Sequence, residues 1–293
     1  MSFDLNILTE KLNKMDSYRP LHQLEIDTIN QQKKMEHVWS SNKIEGSTLE
    51  YSETEAILMQ GVTLHGVPVK DVLETLDLSE AYDYMRDLAT GNTEITENVI
   101  KDLNQLATMQ TLDKNNPDGY PGGYRNVSVR PAGAEFNPYP EPFKIRKQME
   151  DLIYWNETAQ HKLHPVQYAA ELHLRFVTIH PFLDGNGRTA RLLMEFALTR
   201  NGYPITNIQP DQRSRIDYMN TLSDAQKTNN PQAFIDLVAG YVDRELTSRI
   251  GILQLSEQNH NEARPTLKPT ENRFKHHQQA QKTDDNQNKG RTR

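Results

Sequence analysis

At 293 residues with a formal net charge of −7, from 33 Lys/Arg against 40 Asp/Glu, the chain is long enough to bury a core without disulfides or a structural metal. It has no Cys, which excludes disulfide frameworks, thiolate zinc sites, iron–sulfur clusters and a cysteine nucleophile. The acidic balance speaks against nucleic acid as a partner; with no apolar run of about 18 residues and no basic-then-apolar leader, no membrane is expected and a cytoplasmic location is.

Apolar residues recur three and four apart with few β-branched runs, which predicts an all-α chain with one small exception. Residues 21–45 read as a helix whose inward positions are Leu21, Leu24, Met35, Val38, Trp39 and Ile44, with Gly46 placed to end it in a left-handed conformation. A second helix is predicted over 69–89. A third, over 97–109, is capped by Thr96 and carries Val99, Ile100, Leu103 and Leu106. From Asn115 to Pro142 glycine and proline crowd together and exclude a helix. Within that stretch Tyr124–Val129 alternates as a short strand, and Glu135-Phe136 is its expected return in a small β-hairpin. Helices resume over 143–155, 165–179, 187–200, 213–222 and 231–255, with no repeat of 20–50 residues. The segment 264–293 holds eight Lys/Arg, three Asp/Glu and only Leu267 and Phe274 as large apolar residues. Such a tail cannot offset its ordering entropy and is expected to be disordered. His276 and His277 read there as part of a solvated polar tract.

Residues 165–200 carry the chemistry. Pro165 suits a first helical turn, and Val166, Ala169, Ala170, Leu172, Leu174, Phe176, Val177 and Ile179 make the helix apolar nearly all round, as in a central buried helix. It stops at His180-Pro181. Next come Phe182-Leu183-Asp184-Gly185-Asn186-Gly187-Arg188 and then a second apolar run from Leu192 to Leu198. Glycines on both sides of Asn186 let successive N–H groups turn inward at a helix start, where the dipole already favours an anion, so the loop reads as a phosphate cradle. Arg188 and Arg191, three apart on the first turn, share a face and can both grip phosphate oxygens. Asp184, the loop's one carboxylate, suits a Mg²⁺ riding on a nucleotide's phosphates. His180 is the side chain best matched to take a proton near neutral pH. Elsewhere, His161 and His164 fall in a polar connection, and His173 reads as a hydrogen-bonded core residue.

The run His180-Pro181-Phe182-x-x-Gly185-Asn186-Gly187-Arg188-x-x-Arg191 resembles the signature of the Fic (filamentation induced by cAMP) family. At average residue frequencies, chance meets its eight fixed positions in a chain this long roughly once in a hundred million. Upstream, Ile95-Thr96 opening a helix, Gly122-Gly123-Tyr124-Arg125 and the prolines up to Pro142 resemble the family's first core helix and flap. This maps a Fic core onto residues 93–240, after an N-terminal helical region (1–92) and before a C-terminal helix (241–263) and the tail. Asn104 departs from the pattern, since many members have His there, and is expected to touch packing more than catalysis.

The resemblance implies a Fic-fold helical bundle with a β-hairpin flap. It also implies AMPylation: transfer of AMP from ATP to a Ser, Thr or Tyr hydroxyl of a protein target, and of the enzyme itself, with release of pyrophosphate. In that reading His180 is the general base and Asp184 the Mg²⁺ ligand. Gly185, Asn186 and Gly187 form the anion hole, and Arg188 and Arg191 bind the β- and γ-phosphates. Phe182 is a core anchor, while Tyr124, Arg125, Val127 and Val129 present a flap edge on which a target segment pairs.

Ser41-Asn42-Lys43-Ile44-Glu45-Gly46 fits the looser pattern Ser/Thr-x-x-x-Glu-Gly/Asn. Alone it is a helix end with an exposed Glu45 and Gly46 as cap. Beside a Fic core it resembles the inhibitory helix, here about residues 26–46, of the subclass (class II) that carries this helix N-terminal to the core. That implies Glu45 paired with Arg191, occupying the guanidinium that should grip the γ-phosphate, and Ser41 steadying the helix one turn earlier. Breaking a buried Arg–carboxylate pair costs on the order of 3 to 5 kcal/mol. At about tenfold per 1.4 kcal/mol, loss of Glu45 is then expected to raise activity by roughly two or three orders of magnitude.

Alternatives stand beside this self-inhibited AMP-transferase. Doc-type kinases share the fold but usually carry Ala and Lys in place of the glycines, which Gly185 and Gly187 oppose. Removal of AMP from a modified protein would use Glu45 to orient a water. A regulatory binding protein would act through the N-terminal helices or the basic tail without ATP. Exposed helix faces after Ile205 could pair two copies into a homodimer.

Overall fold

The structure, a computed structural model, describes residues 2–18, 23–63, 65–91, 93–131 and 136–263. Backbone contacts divide the chain into residues 1–251 and 252–293. Only 252–263 of the second unit are described, as helix, so the tail with His276 and His277 lies outside the described residues. Leu21 and the side chain of Leu24 lie outside them too.

Among the described residues the chain forms ten helices: α1 (Asn6–Asp16), α2 (Gln23–Ile44), α3 (Tyr51–Gln60), α4 (Val69–Thr90), α5 (Glu97–Thr108), α6 (Pro142–Lys162), α7 (Pro165–Ile179), α8 (Asn186–Arg200), α9 (Gln212–Thr228) and α10 (Gln232–Ala263). The centre is α7 packed on α8, with α4 and α5 covering α8, α2 reaching both α4 and α8, and α6 and α9 against α7. The pairing follows from sequence. Pro165 occupies the first turn of α7, and His164 caps it by accepting the Val166 N–H. Leu172, Phe176, Leu192, Leu193, Phe196 and Leu198 are fully buried, each stabilising by roughly 1.5 to 3 kcal/mol. The α7–α8 pair is therefore the platform on which the loop between them is carried.

Two helix boundaries shape the surroundings of that loop. Thr96 caps α5 as expected, its Oγ1 accepting from the Val99 N–H at 3.2 Å; Leu106 on that helix is only half-buried. At the end of α2, Gly46 sits at φ +105°. Its N–H donates to the Lys43 carbonyl at 3.1 Å, and the Ser47 N–H donates to that of Asn42 at 3.0 Å. This is a Schellman closure, which leaves Glu45 as the last residue before the reversal. Met35, Val38 and Ile44 are buried as expected, and Trp39 is half-buried.

Helices α1 and α3 have no counterpart in the apolar periodicity. The first is anchored by Leu8 and Met15, and the second opens on a capping box between Glu50 and Glu53. Helices α6, α9 and α10 run past their predicted ends, so His161 lies in the last turn of α6 rather than in a connection.

The expected hairpin is not seen among the described residues. Among the described residues there is no strand, and the chain around Tyr124–Val129 is irregular. Tyr124 makes an isolated antiparallel bridge with Phe182, and the Arg125 N–H donates to the Pro181 carbonyl at 2.9 Å. The stretch thus pairs with the loop after α7, while Glu135 of the expected return lies outside the described residues. The physical cause is local. Arg125's side chain takes the Val127 and Pro140 carbonyls, and Pro131, Pro138 and Pro140 bring no N–H to a ladder. No helix among the described residues is long and apolar enough to cross a membrane.

Candidate active site

His180 terminates α7 in a left-handed conformation, φ +50° and ψ +56°, a strained position for a residue with a Cβ. Its Nδ1 lies 3.3 Å from the Val177 carbonyl oxygen. A carbonyl only accepts, so Nδ1 carries the hydrogen and Nε2 keeps its lone pair. The Tyr139 ring stacks on the imidazole at 3.9 Å between centroids and 17° between planes. Burial pushes the His180 pKa down to about 4; the Val177 carbonyl opposes this and the Arg125 charge adds to it. The side chain is thus a neutral base at physiological pH.

The glycine loop is closed by its own side chains. Phe182 is fully buried. The Asn186 amide brackets it, Oδ1 accepting from the Phe182 N–H at 3.0 Å and Nδ2 donating to its carbonyl at 2.8 Å. Gly185, at φ +77°, has its N–H turned to Asp184 Oδ1 at 2.6 Å. Its N–H is therefore taken, and the open donors are those of Asn186, Gly187 and Arg188, which start α8 without intrahelical acceptors. A Cβ on Gly185 would stand 2.6 Å from Thr108 Cγ2 and 2.8 Å from Asn104 Nδ2, so glycine here admits α5. Asn104, fully buried, donates to the Asp184 carbonyl at 2.9 Å and accepts from the Gly122 N–H at 3.1 Å. It ties the loop to the glycines preceding Tyr124.

The two arginines are equally buried and differently occupied. Arg188 donates through Nη2 to Asp184 Oδ1 at 3.2 Å, and its Nη1 lies 3.7 Å from Glu74 Oε1. Its Nε and Nη1 are buried without a hydrogen-bond partner. Arg191 donates from Nε to Ser41 Oγ at 2.8 Å and from Nη2 to the Ser41 carbonyl at 3.0 Å and to Glu45 Oε1 at 2.7 Å. A Cβ on Gly187 would stand 2.1 Å from Glu45 Oε1, so the carboxylate rests on Gly187, over the first turn of α8.

Glu45's side chain is 38% exposed against 3% for Arg191. The pair is therefore screened on one side and is worth about 1 to 3 kcal/mol rather than the value for a fully buried pair. Asp184 is 43% exposed, and among the described residues no group of three His, Asp or Glu could hold a metal alone. A single open carboxylate beside a phosphate cradle fits Mg²⁺, which keeps waters and shares a nucleotide's phosphates. His173 is fully buried, with Nε2 at 3.0 Å from the Tyr218 hydroxyl and its pKa pushed down to about 3 by burial. It is the core residue the sequence indicated.

Of the residues expected on a docking flap, Val127 and Val129 are half-buried. Arg125 is instead 2% exposed and bound to three backbone carbonyls, those of His180, Val127 and Pro140. Tyr124 packs on Phe182 and under the Lys101 ammonium. Sequence reasoning missed the bridging role of Asn104 and the Tyr139 stack; the departure at Asn104 was the one available signal.

The family model described as Fic/DOC family matches residues 94–198. A protein from Nematostella vectensis named "Protein adenylyltransferase Fic" is 32% identical over 246 residues, 83% of this chain and 54% of its own length. The protein of the same name from Drosophila grimshawi is 34% identical over 181 residues, 61% of this chain and 36% of its own. The crystal structure of a Fic domain containing signaling protein from Bacteroides thetaiotaomicron superposes with a TM-score of 0.75 at 30% identity, covering 84% of this chain and 96% of that one. The chain belongs to the Fic/DOC family. It spans roughly a third to a half of the length of the two named adenylyltransferases.

Proposed function

We propose that the chain is a protein adenylyltransferase, using Mg²⁺ and ATP, that is held back by its own Glu45. The observation carrying this reading is the convergence, within the twelve residues from His180 to Arg191, of a neutral base, an anion cradle and two buried guanidiniums. The named relatives support the same chemistry. The N–H groups at the start of α8 and the free donors of Arg188 receive the phosphates, and Arg191 completes the grip once Glu45 leaves. Mg²⁺, held by Asp184, would neutralise phosphate charge and orient the α-phosphate. The target hydroxyl oxygen bonds to the α-phosphorus as its proton passes to His180 Nε2, and the bond to pyrophosphate breaks. Positioning and charge neutralisation do most of the work, because a phosphoryl transfer asks for little else. With Glu45 in place, Arg191 and the space over Gly187 are both taken, and the triphosphate cannot settle in line.

The test is incorporation of label from ATP radiolabelled at the α-phosphate, with Mg²⁺, into the protein itself and into a cytoplasmic lysate. Wild type, Glu45→Gly and His180→Ala are compared. Strong labelling with Glu45→Gly alone is expected. Label only from γ-labelled ATP would make it a kinase, and no label with any variant would overturn the transfer reading.

A further inference from the structure

A base must be aimed as well as neutral: the imidazole plane decides where the Nε2 lone pair points. His180 sits in a backbone conformation that a residue with a Cβ holds only under constraint. The constraint comes from the proline-rich stretch, outside the signature. The Tyr139 ring lies flat on the imidazole, 3.9 Å away and 17° from parallel. Directly after it, the Pro140 carbonyl accepts from Arg125 Nη2 at 2.8 Å, while Nε of the same guanidinium donates to the His180 carbonyl at 2.8 Å. One buried guanidinium thus ties the backbone of the stacked residue to that of the residue directly after the one stacking on it. Pro138 and Pro140 flank Tyr139 with fixed φ angles, and the Tyr139 N–H is held by Asn137 Oδ1 at 3.2 Å.

We infer that Tyr139 is a positioning residue for His180, its ring setting the plane of the imidazole and keeping water off one face while the edge bearing Nε2 stays open, with Arg125 holding the two together. The inference rests on the proposed role of His180 as base. The groups facing that imidazole are Arg125 and Tyr139 from this stretch, Glu45 beyond the end of α2, and Asp184 from the glycine loop. Arg125 disfavours protonation, and Glu45 and Asp184 favour it. A ring that only filled space could be replaced by an aliphatic side chain without moving the titration of His180.

The experiment places Tyr139→Phe and Tyr139→Leu in the Glu45→Gly background. For Tyr139→Leu, kcat is expected to fall roughly 10- to 100-fold, as for a small misplacement of a reacting group, with KM for ATP within about twofold of the parent. The acid limb of its pH profile moves up toward the ordinary histidine range. Tyr139→Phe keeps the stack and retains the parental profile. In parallel, ¹⁵N spectra of the histidines, with His180 assigned by its loss in His180→Gln, report the ring directly. At pH 6 it is neutral in the parent and in Tyr139→Phe and partly protonated in Tyr139→Leu. A parental profile and spectrum in Tyr139→Leu would overturn the inference, as would a Tyr139→Phe variant as impaired as Tyr139→Leu. If Tyr139→Leu does not fold, Tyr139→Phe decides alone, a shifted spectrum counting against the stack. If no variant labels any protein, the transferase reading falls while the spectra still decide the role of Tyr139.

Discussion

The glycine loop and the end of α2 meet at Arg191 and are built in opposite ways. The loop is closed by the Asn186 amide on Phe182, by Asn104 on the Asp184 carbonyl and by a glycine that admits α5 where no Cβ fits. The end of α2 reaches the site through three hydrogen bonds to one guanidinium, and its paired carboxylate is more than a third exposed. The loop is thus part of the fold, whereas the contact from the end of α2 is laid on top of it. Changes on the two sides should be separable by the sign of their effect on activity: those at the loop lower it, and those that release Arg191 raise it.

The largest effect tests the loop's chemistry. His180→Ala should lower AMP transfer in the Glu45→Gly background by roughly 10² to 10⁴, the range of a positioned general base, with a melting curve near that of its parent. Next is Glu45→Gly itself. The half-exposed pair with Arg191 predicts a rise of roughly ten- to a hundredfold in initial rate, below the estimate for a fully buried pair, with a Tm lowered by a few degrees as the pair is lost. A rise of only twofold would make Glu45 a surface residue in function as well as in exposure.

Gly185→Ala probes the other side. It forces a Cβ toward Thr108 and Asn104 at φ +77° and should cost about 1 to 3 kcal/mol, read as a fall in denaturation midpoint together with a loss of activity, where Glu45→Gly gains it. Smallest is the response to pH. The folded His180 pKa is depressed to about 4, so the base stays unprotonated as pH falls from 8 to 5 and protonates only near or below that value. The rate of Glu45→Gly at saturating Mg²⁺ and ATP should then vary less than about twofold over that range. A half-maximal point above pH 6 would show that the buried environment does not govern the base.

Legibility tracked the range of each interaction. The cradle, the base and the second arginine lie within one turn or loop of one another, so spacing alone displayed them, and the α2 terminus was readable because a glycine must come after a helix that reverses there. The occupied N–H of Gly185 was not readable, since it depends on the rotamer of the neighbouring Asp184. Neither was the bridge made by Asn104, whose partners are 18 and 80 residues away in sequence. The expected hairpin, not seen among the described residues, has the same origin. Alternation in Tyr124–Val129 signalled an extended stretch, but the choice of partner belonged to Arg125, which a pattern of apolar positions does not weigh.

The Schellman closure at Gly46 makes the proposed Glu45 restraint a matter of helix-end fraying. Only the last turn of α2 has to open for the carboxylate to leave Arg191, and helix ends open and close far faster than enzymes turn over. At about 1 to 3 kcal/mol the released state is occupied roughly 1 to 15 per cent of the time. The resting protein would then leak at a low, steady rate, set by the stability of one helical turn, instead of being locked until a switch is thrown.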